Sequence, residues 1–211
     1  CKDLKTERNS LMEYDGAAWR VVAPFEKEKV ADLFRTEDGR LWLTVEGNGM
    51  LEINPHKAIH DATRHLEGTN VTTVQMDSKG RVWAGLWGGG VMVLEGGKWA
   101  RHLPKEKSSI FSIREDAAGQ IWVATSASGL WRYNGTEWTN DLQKEGGVNL
   151  LVPTKDGKVW ISTQHQGGLR YWDGKQWVVS LDSPLPIRAL VETAKGQLFA
   201  AGVLDGLHIK E

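Results

Sequence analysis

The 211-residue chain has a single cysteine, Cys1, so no intrachain disulfide and no cysteine-rich metal cluster is available to it. It also lacks any long apolar run. Its longest are stretches such as Val91-Met92-Val93-Leu94, far short of the 18 or so residues that a membrane helix needs. Neither sign of charge dominates: 26 Lys+Arg face 27 Asp+Glu, which excludes nucleic-acid binding driven by bulk charge. No segment keeps a 3.6-residue apolar period with caps at both ends, so helices are expected to be nearly absent. Phenylalanine and tyrosine are few, at four and three, against eleven tryptophans. Glycine stands at 24, where average usage of roughly 7% would give about 15. With 40% apolar and 25% charged residues the composition is that of a soluble globular protein, and not of a disordered or collagen-like chain.

Aligning the tryptophans explains the excess. The segments Asp38-Gly39-Arg40-Leu41-Trp42, Lys79-Gly80-Arg81-Val82-Trp83, Ala118-Gly119-Gln120-Ile121-Trp122, Asp156-Gly157-Lys158-Val159-Trp160 and Lys195-Gly196-Gln197-Leu198-Phe199 share one pattern. Their glycines are 41, 39, 38 and 39 residues apart. Nine residues before each glycine stand Val30, Val71, Ile110, Val148 and Ile187, and three further on come Leu33, Val74, Ile113, Leu151 and Leu190. A second glycine follows each aromatic by seven residues, at 49, 90, 129 and 206, and by eight at Gly168, so the fourth repeat carries one inserted residue. Self-similarity at this period identifies a repeat architecture.

Each repeat has β grammar. Ile110-Phe111-Ser112-Ile113-Arg114, Gln120-Ile121-Trp122-Val123-Ala124-Thr125, Leu130-Trp131-Arg132-Tyr133 and Glu137-Trp138-Thr139 are short runs of strand formers. Between them lie a small-residue loop and Gly-containing turns, Asn134-Gly135 among them. Four short strands every 39 or so residues predict an all-β, five-bladed propeller with four-stranded antiparallel blades. A hairpin solenoid would need capping repeats, and none is evident. The fifth repeat stops without its last strand, while Tyr14-Asp15-Gly16-Ala17-Ala18-Trp19-Arg20-Val21-Val22 matches that strand at the other end of the chain. An N-terminal strand completing the C-terminal blade is therefore expected to close the ring and remove its open edge. The expected layout is a tether over 1–10 and one domain over 11–211. Its repeats fall near 30–70, 71–109, 110–147, 148–186, and 187–211 with 11–22.

The stretch from Ile110 to Trp138, with its Gly-x-Ile-Trp-Val-Ala-Thr and Gly-Leu-Trp-Arg-Tyr-Asn-Gly cores, resembles the two-component regulator propeller repeat. The resemblance covers all five repeats and the segment Tyr14–Trp19. It implies the propeller fold and an extracytoplasmic sensing or binding role of the kind found in bacterial sensor regions. The streptogramin-inactivating lyases use similar repeats and supply the enzymatic alternative. The Gly-His and terminal Trp-Asp signature of WD40 repeats is absent.

Within this frame Trp42, Trp83, Trp122, Trp160 and Phe199 form one central-strand column, and Trp19, Trp99, Trp138 and Trp177 an outer one; both are expected to pack. Trp87, Trp131 and Trp172 fall outside the columns. Trp87 lies among glycines in the loop between the second and third strands and is the expected ligand platform. The ligand-binding candidates on that loop rim are Glu46, Asn48, Trp87, Gln164, His165 and Asp205. An aromatic surface ringed by such polar groups suits a glycan or another small polar ligand. The inner strands offer Asp32, Asn149 and Arg188 to the channel, with Asp32 and Arg188 a candidate ion pair across the closure. No metal ligand set is recognised: His56, His60 and His65, spaced by 4 and 5, match no metal motif. No cofactor and no nucleic acid is expected. His165, on the lengthened loop, is the candidate general base if the protein is a lyase or hydrolase, and docking of a protein partner is a third reading. Cys1 followed by a charged stretch has the form of a processed bacterial lipoprotein. That implies acylation of its thiol, a membrane contact through that anchor alone, and a periplasmic or cell-surface location.

Overall fold

A computed structural model describes residues 9–25, 29–54, 61–103, 106–165, 167–202 and 207–210. The strands fall where the repeat predicts. The first repeat forms β3 (Val30–Arg35), β4 (Leu41–Val45), β5 (Met50–Ile53) and β6 (Thr63–His65). The second forms β7 (Val71–Met76), β8 (Val82–Leu86), β9 (Val91–Glu95) and β10 (Lys98–His102). The third forms β11 (Ile110–Glu115), β12 (Ile121–Thr125), β13 (Leu130–Tyr133) and β14 (Trp138–Asn140). The fourth forms β15 (Val148–Pro153), β16 (Val159–Thr163), β17 (Gly167–Trp172) and β18 (Trp177–Leu181). Each is a four-stranded sheet in chain order, and the fifth repeat adds a sheet of three, β19 (Ile187–Glu192), β20 (Leu198–Gly202) and β21 (Leu207–Lys210). All described strand pairs are antiparallel hairpin neighbours. The one described helix is a single 3-10 turn, Gln143–Glu145. The fourth repeat absorbs its inserted residue as a register shift between Ile161 and Thr163.

Contacts divide the chain into two compact units, Cys1–Val74 and Gln75–Glu211, with the cut inside β7. In the first unit, Leu43, Val45, Leu51 and Ile53 form a core against which Leu11 packs. The N-terminal segment is not a single strand. β1 (Asn9–Tyr14) and β2 (Trp19–Phe25) make their own two-stranded sheet, with Tyr14 opposite Trp19. The outer-column expectation for Trp19 is corrected here: the side chain is 65% exposed, beside the likewise exposed Tyr14. A two-stranded sheet buries one face only, and Leu11 has taken that face.

In the second unit the tryptophan column is the centre of the packing. Trp83 and Trp122 are fully buried. Each withdraws roughly 200 Å² of aromatic surface, worth about 5 kcal/mol before conformational entropy is charged. Part of what covers each one comes from the next repeat, beside His102 and Arg132 of its own. Tyr133 and Trp138 lie 5.9 and 6.2 Å from Trp83, and Trp172 and Trp177 lie 6.3 and 6.0 Å from Trp122. Trp172, unassigned by the repeat pattern, is therefore a packing residue.

The turns that launch the second strands add polar fastening. Asp77 caps its turn by accepting from the Lys79 and Arg81 amides, and its second oxygen takes the Trp83 indole N–H at 2.8 Å and the Arg81 guanidinium at 2.7 Å. Asp116 repeats the arrangement for Trp122 without the arginine. Thr36 stands at this position in the first repeat. Its single hydroxyl bonds to Asp38 and the Arg40 carbonyl, and the buried Trp42 Nε1 has no partner among the described residues. A carboxylate can serve turn and indole together, whereas one hydroxyl cannot.

Two outcomes follow for stability. Asp77→Ala orphans a buried arginine and an indole together, and should cost about 3 kcal/mol or more in urea denaturation. Asp116→Ala, which strands no arginine, should cost less. The half-buried His102 lies 5.5 Å from Trp83 and 5.7 Å from Tyr133. Burial and the neighbouring Arg81 hold its imidazole below the ordinary histidine range, against a weaker pull from Glu95. Its folded state thus resists protonation more than its unfolded state does. Stability should be complete above pH about 6.5 and decline as pH falls through that value. Melting temperature measured from pH 7.5 to 5 should show this slope, and His102→Phe should flatten it.

Candidate ligand-binding rim

In the first, third and fourth repeats the loops between second and third strands interlock with the connectors that enter the repeat. The Glu46 amide donates to the Lys29 carbonyl, that of Ser126 to Ser109 and that of Gln164 to Gly147, all at 2.8–2.9 Å. In each case the loop is tied to the residue just before its own inner strand, so the rim is an extension of the sheet and not a free loop.

In the first unit this leaves little for a ligand. Glu46 forms an exposed pair with Lys29 at 3.5 Å, an arrangement worth little in water. Asn48 is half-buried, its amide donating to the Val45 carbonyl. Asp32 is a fastener: its carboxylate takes the Thr73 hydroxyl at 3.0 Å, the Val74 amide at 3.2 Å and the Leu33 amide at 2.9 Å.

The second unit carries the more open rim. Trp87 is 64% exposed, and its neighbours Gly88, Gly89 and Gly90 all have positive φ. Gly89 is obligatory on two counts, because a Cβ there would also strike the Glu106 carbonyl. The Gly88 amide donates to the Ser109 hydroxyl at 3.2 Å, and the Ser108 and Ser128 hydroxyls meet at 2.6 Å. Beneath them lies Glu106, 5% exposed. Burial pushes its carboxyl upward, but the Ser108 amide, the Trp131 indole and the Ser108 and Ser128 hydroxyls outweigh burial and hold it below the ordinary carboxylate range. The role of Trp131 lies here, with its Nε1 donating to Glu106 at 2.8 Å.

Gln164 and His165 stand exposed at the far end of this band. Both lie so close over Gly146 and Gly147 that a Cβ on either glycine would collide with them. Among the described residues no carboxylate pairs with His165 and no cluster of metal-ligating side chains occurs. Asp205, Cys1, His56 and His60 lie outside the described residues. Asn149 and Arg188 stand on inner strands β15 and β19, half-buried and exposed respectively. The band thus joins Trp87 to Gln164 and His165 through Ser109, Ser126 and Gly147. The two glycines that admit the histidine and glutamine were within reach of the sequence as an unpaired Gly146-Gly147 ahead of an inner strand. The part played by Ser108, Ser109 and Glu106 carried no signal, because it depends on a connector whose path no repeat column defines.

No curated protein matches the sequence. Solved structures do match in fold. The extracellular domain of a hybrid two component system, BT3049, from B. thetaiotaomicron superposes with a TM-score of 0.72 at 18% identity, over 93% of this chain and 30% of that one. This chain thus spans under a third of that protein's length. Virginiamycin B lyase from Staphylococcus aureus, crystallised as an inactive variant with quinupristin, gives 0.72 at 13% identity over 97% of this chain and 74% of that one. PorZ, a bacterial surface component of the type-IX secretion system of Porphyromonas gingivalis, gives 0.68 at 15% identity over 96% and 36%. At these identities the likeness is one of fold. Residues 105–127, which hold β11, its Asp116 turn and the buried Trp122, match the family model described as the two component regulator propeller, and the chain carries that propeller repeat.

Proposed function

We propose that the protein is an extracytoplasmic, non-catalytic binding or sensing propeller that takes a glycan or similar small polar ligand on the rim of the second unit. The observation that carries this reading is Trp87, 64% exposed on a glycine loop that bonds to Ser109 and packs closely against the Glu106 backbone. An aromatic face held rigidly in water, with Gln164 and His165 along the same band, can stack on a sugar ring and hydrogen-bond its hydroxyls at little ordering cost. The extracellular location of the BT3049 domain supports the compartment. The lyase reading has less behind it, since a general base needs an orienting partner and His165 has no paired carboxylate among the described residues.

We also propose that the five repeats close into one ring. Val30 and Leu33 are 38% and 50% exposed, whereas their equivalents Val71, Val74, Ile110, Ile113, Val148 and Leu151 are buried. Phe199 is half-buried where Trp42, Trp83, Trp122 and Trp160 are buried. The first repeat therefore presents an inner-strand surface that the later repeats cover, and the last leaves its Phe199 only half covered, although Ile187 is buried.

Calorimetric titration with a panel of neutral oligosaccharides should find a binder, and Trp87→Ala should weaken it by about tenfold or more. Binding indifferent to that change removes the site. For closure, small-angle scattering should give a radius of gyration near 17 Å, the value for a compact chain of this length. A clearly larger radius would mean that the units swing apart.

A further inference from the structure

Three neighbouring inner strands of the second unit, β11, β15 and β19, break register at the same place. Ile110 faces Thr125 and Ser112 faces Ala124, so Phe111 is the extra residue. Asn149 and Arg188 are the extra residues of the other two strands. A bulge of this kind leaves one residue out of the ladder and re-aims its side chain. Each follows a fully buried anchor, Ile110, Val148 or Ile187, and the Ile187 amide is further pinned by the buried Ser162 hydroxyl at 2.9 Å. The row is therefore rigidly based while its side chains stay available. Phe111 is 44% exposed, an unusual state for a large aromatic ring on an inner strand. The Asn149 amide has no hydrogen bond among the described residues.

Arg188 is the telling member. Every other arginine of this unit is engaged: Arg81 with Asp77, Arg101 with the Gly89 carbonyl, Arg114 with the Ile113 carbonyl, Arg132 with Asp141 and Arg170 with Glu145. Among the described arginines of this unit Arg188 has no hydrogen bond or ion pair, and it stands exposed. A ring, an amide and an unpaired guanidinium, held in register one residue inside the rim connectors, fit a ligand with an apolar ring face, hydroxyls and a carboxylate. The guanidinium fork matches a carboxylate bidentately.

We propose that this bulge row recognises the carboxylate of an acidic saccharide, a uronate, with Arg188 as its anchor, Asn149 bonding a hydroxyl and Phe111 stacking on a ring. The proposal rests on the reading of the adjoining rim as a saccharide site.

Calorimetry on the full chain with trigalacturonate and its neutral counterpart galactotriose tests it. Trigalacturonate should bind about tenfold or more tightly, with a preference that shrinks as salt rises. Arg188→Gln should erase the preference without lowering the melting temperature, and Phe111→Ala should weaken both probes alike. Equal binding of the two sugars, a preference that survives Arg188→Gln, or no binding of either overturns the proposal. Trp87→Ala separates the two readings: loss of galactotriose binding with no acid preference in the wild type leaves the rim and removes the row. An acid preference that persists in Trp87→Ala does the reverse.

Discussion

The architecture depends on one contact: a buried tryptophan on the second strand of a repeat, covered by an aromatic pair on the outer strands of the repeat that follows. Trp83 under Tyr133 and Trp138, and Trp122 under Trp172 and Trp177, are the two instances seen whole. Because part of each lid comes from the next repeat, the cores built on Trp83 and Trp122 are completed only by their neighbours in the series. Asp77 and Asp116 reinforce this by fixing each indole to the turn that starts its strand. Ser78 against Glu115, and Lys155 against Glu192, tie the same turns to the following repeat.

Much of this was legible in the sequence, because turn glycines and core aromatics recur at fixed offsets whatever lies between them. The strand grammar, the buried column, the inserted residue before Gly168 and the exposed Trp87 all follow from columns that can be counted. What could not be read depends on partners distant in sequence or on ladder geometry. Asp32 looked like half of an ion pair, yet its carboxylate is taken by Thr73 and Val74. Trp19 belongs to an aromatic pair by its spacing, but a pair needs an indole to cover, and β1–β2 offers it none. The bulges at Phe111, Asn149 and Arg188 left a mark that a period-two reading passes over: the apolar anchors around them stand three residues apart, at 110 and 113, 148 and 151, and 187 and 190, where regular alternation keeps one face at even spacings.

The rim shows how a repeat protein acquires individuality. Its fastening in the first, third and fourth repeats is a loop amide bonded to the connector before the inner strand, and in the second a bond from Gly88 to Ser109 of the next connector, but the side chains it presents differ from one repeat to the next. Glycines at 89, 146 and 147 are what permit close seating, because each lies where any Cβ would meet backbone or ring. A scaffold so fixed can vary Trp87, Gln164 or His165 without disturbing the strands beneath.

The threonine at position 36 has a wider consequence. With a carboxylate at the turn, a buried indole is satisfied and its strand is held at that end; with a hydroxyl, Trp42 keeps a donor with no partner among the described residues. Where stability passes from each repeat to its neighbour, such a difference grades the whole series. The fourth and fifth repeats carry a hydroxyl at the same turn, Thr154 and Thr193, so the second and third repeats, with Asp77 and Asp116, are the clamped middle of the series. Amide protons should therefore exchange last in the second and third repeats, with protection falling away on either side of them.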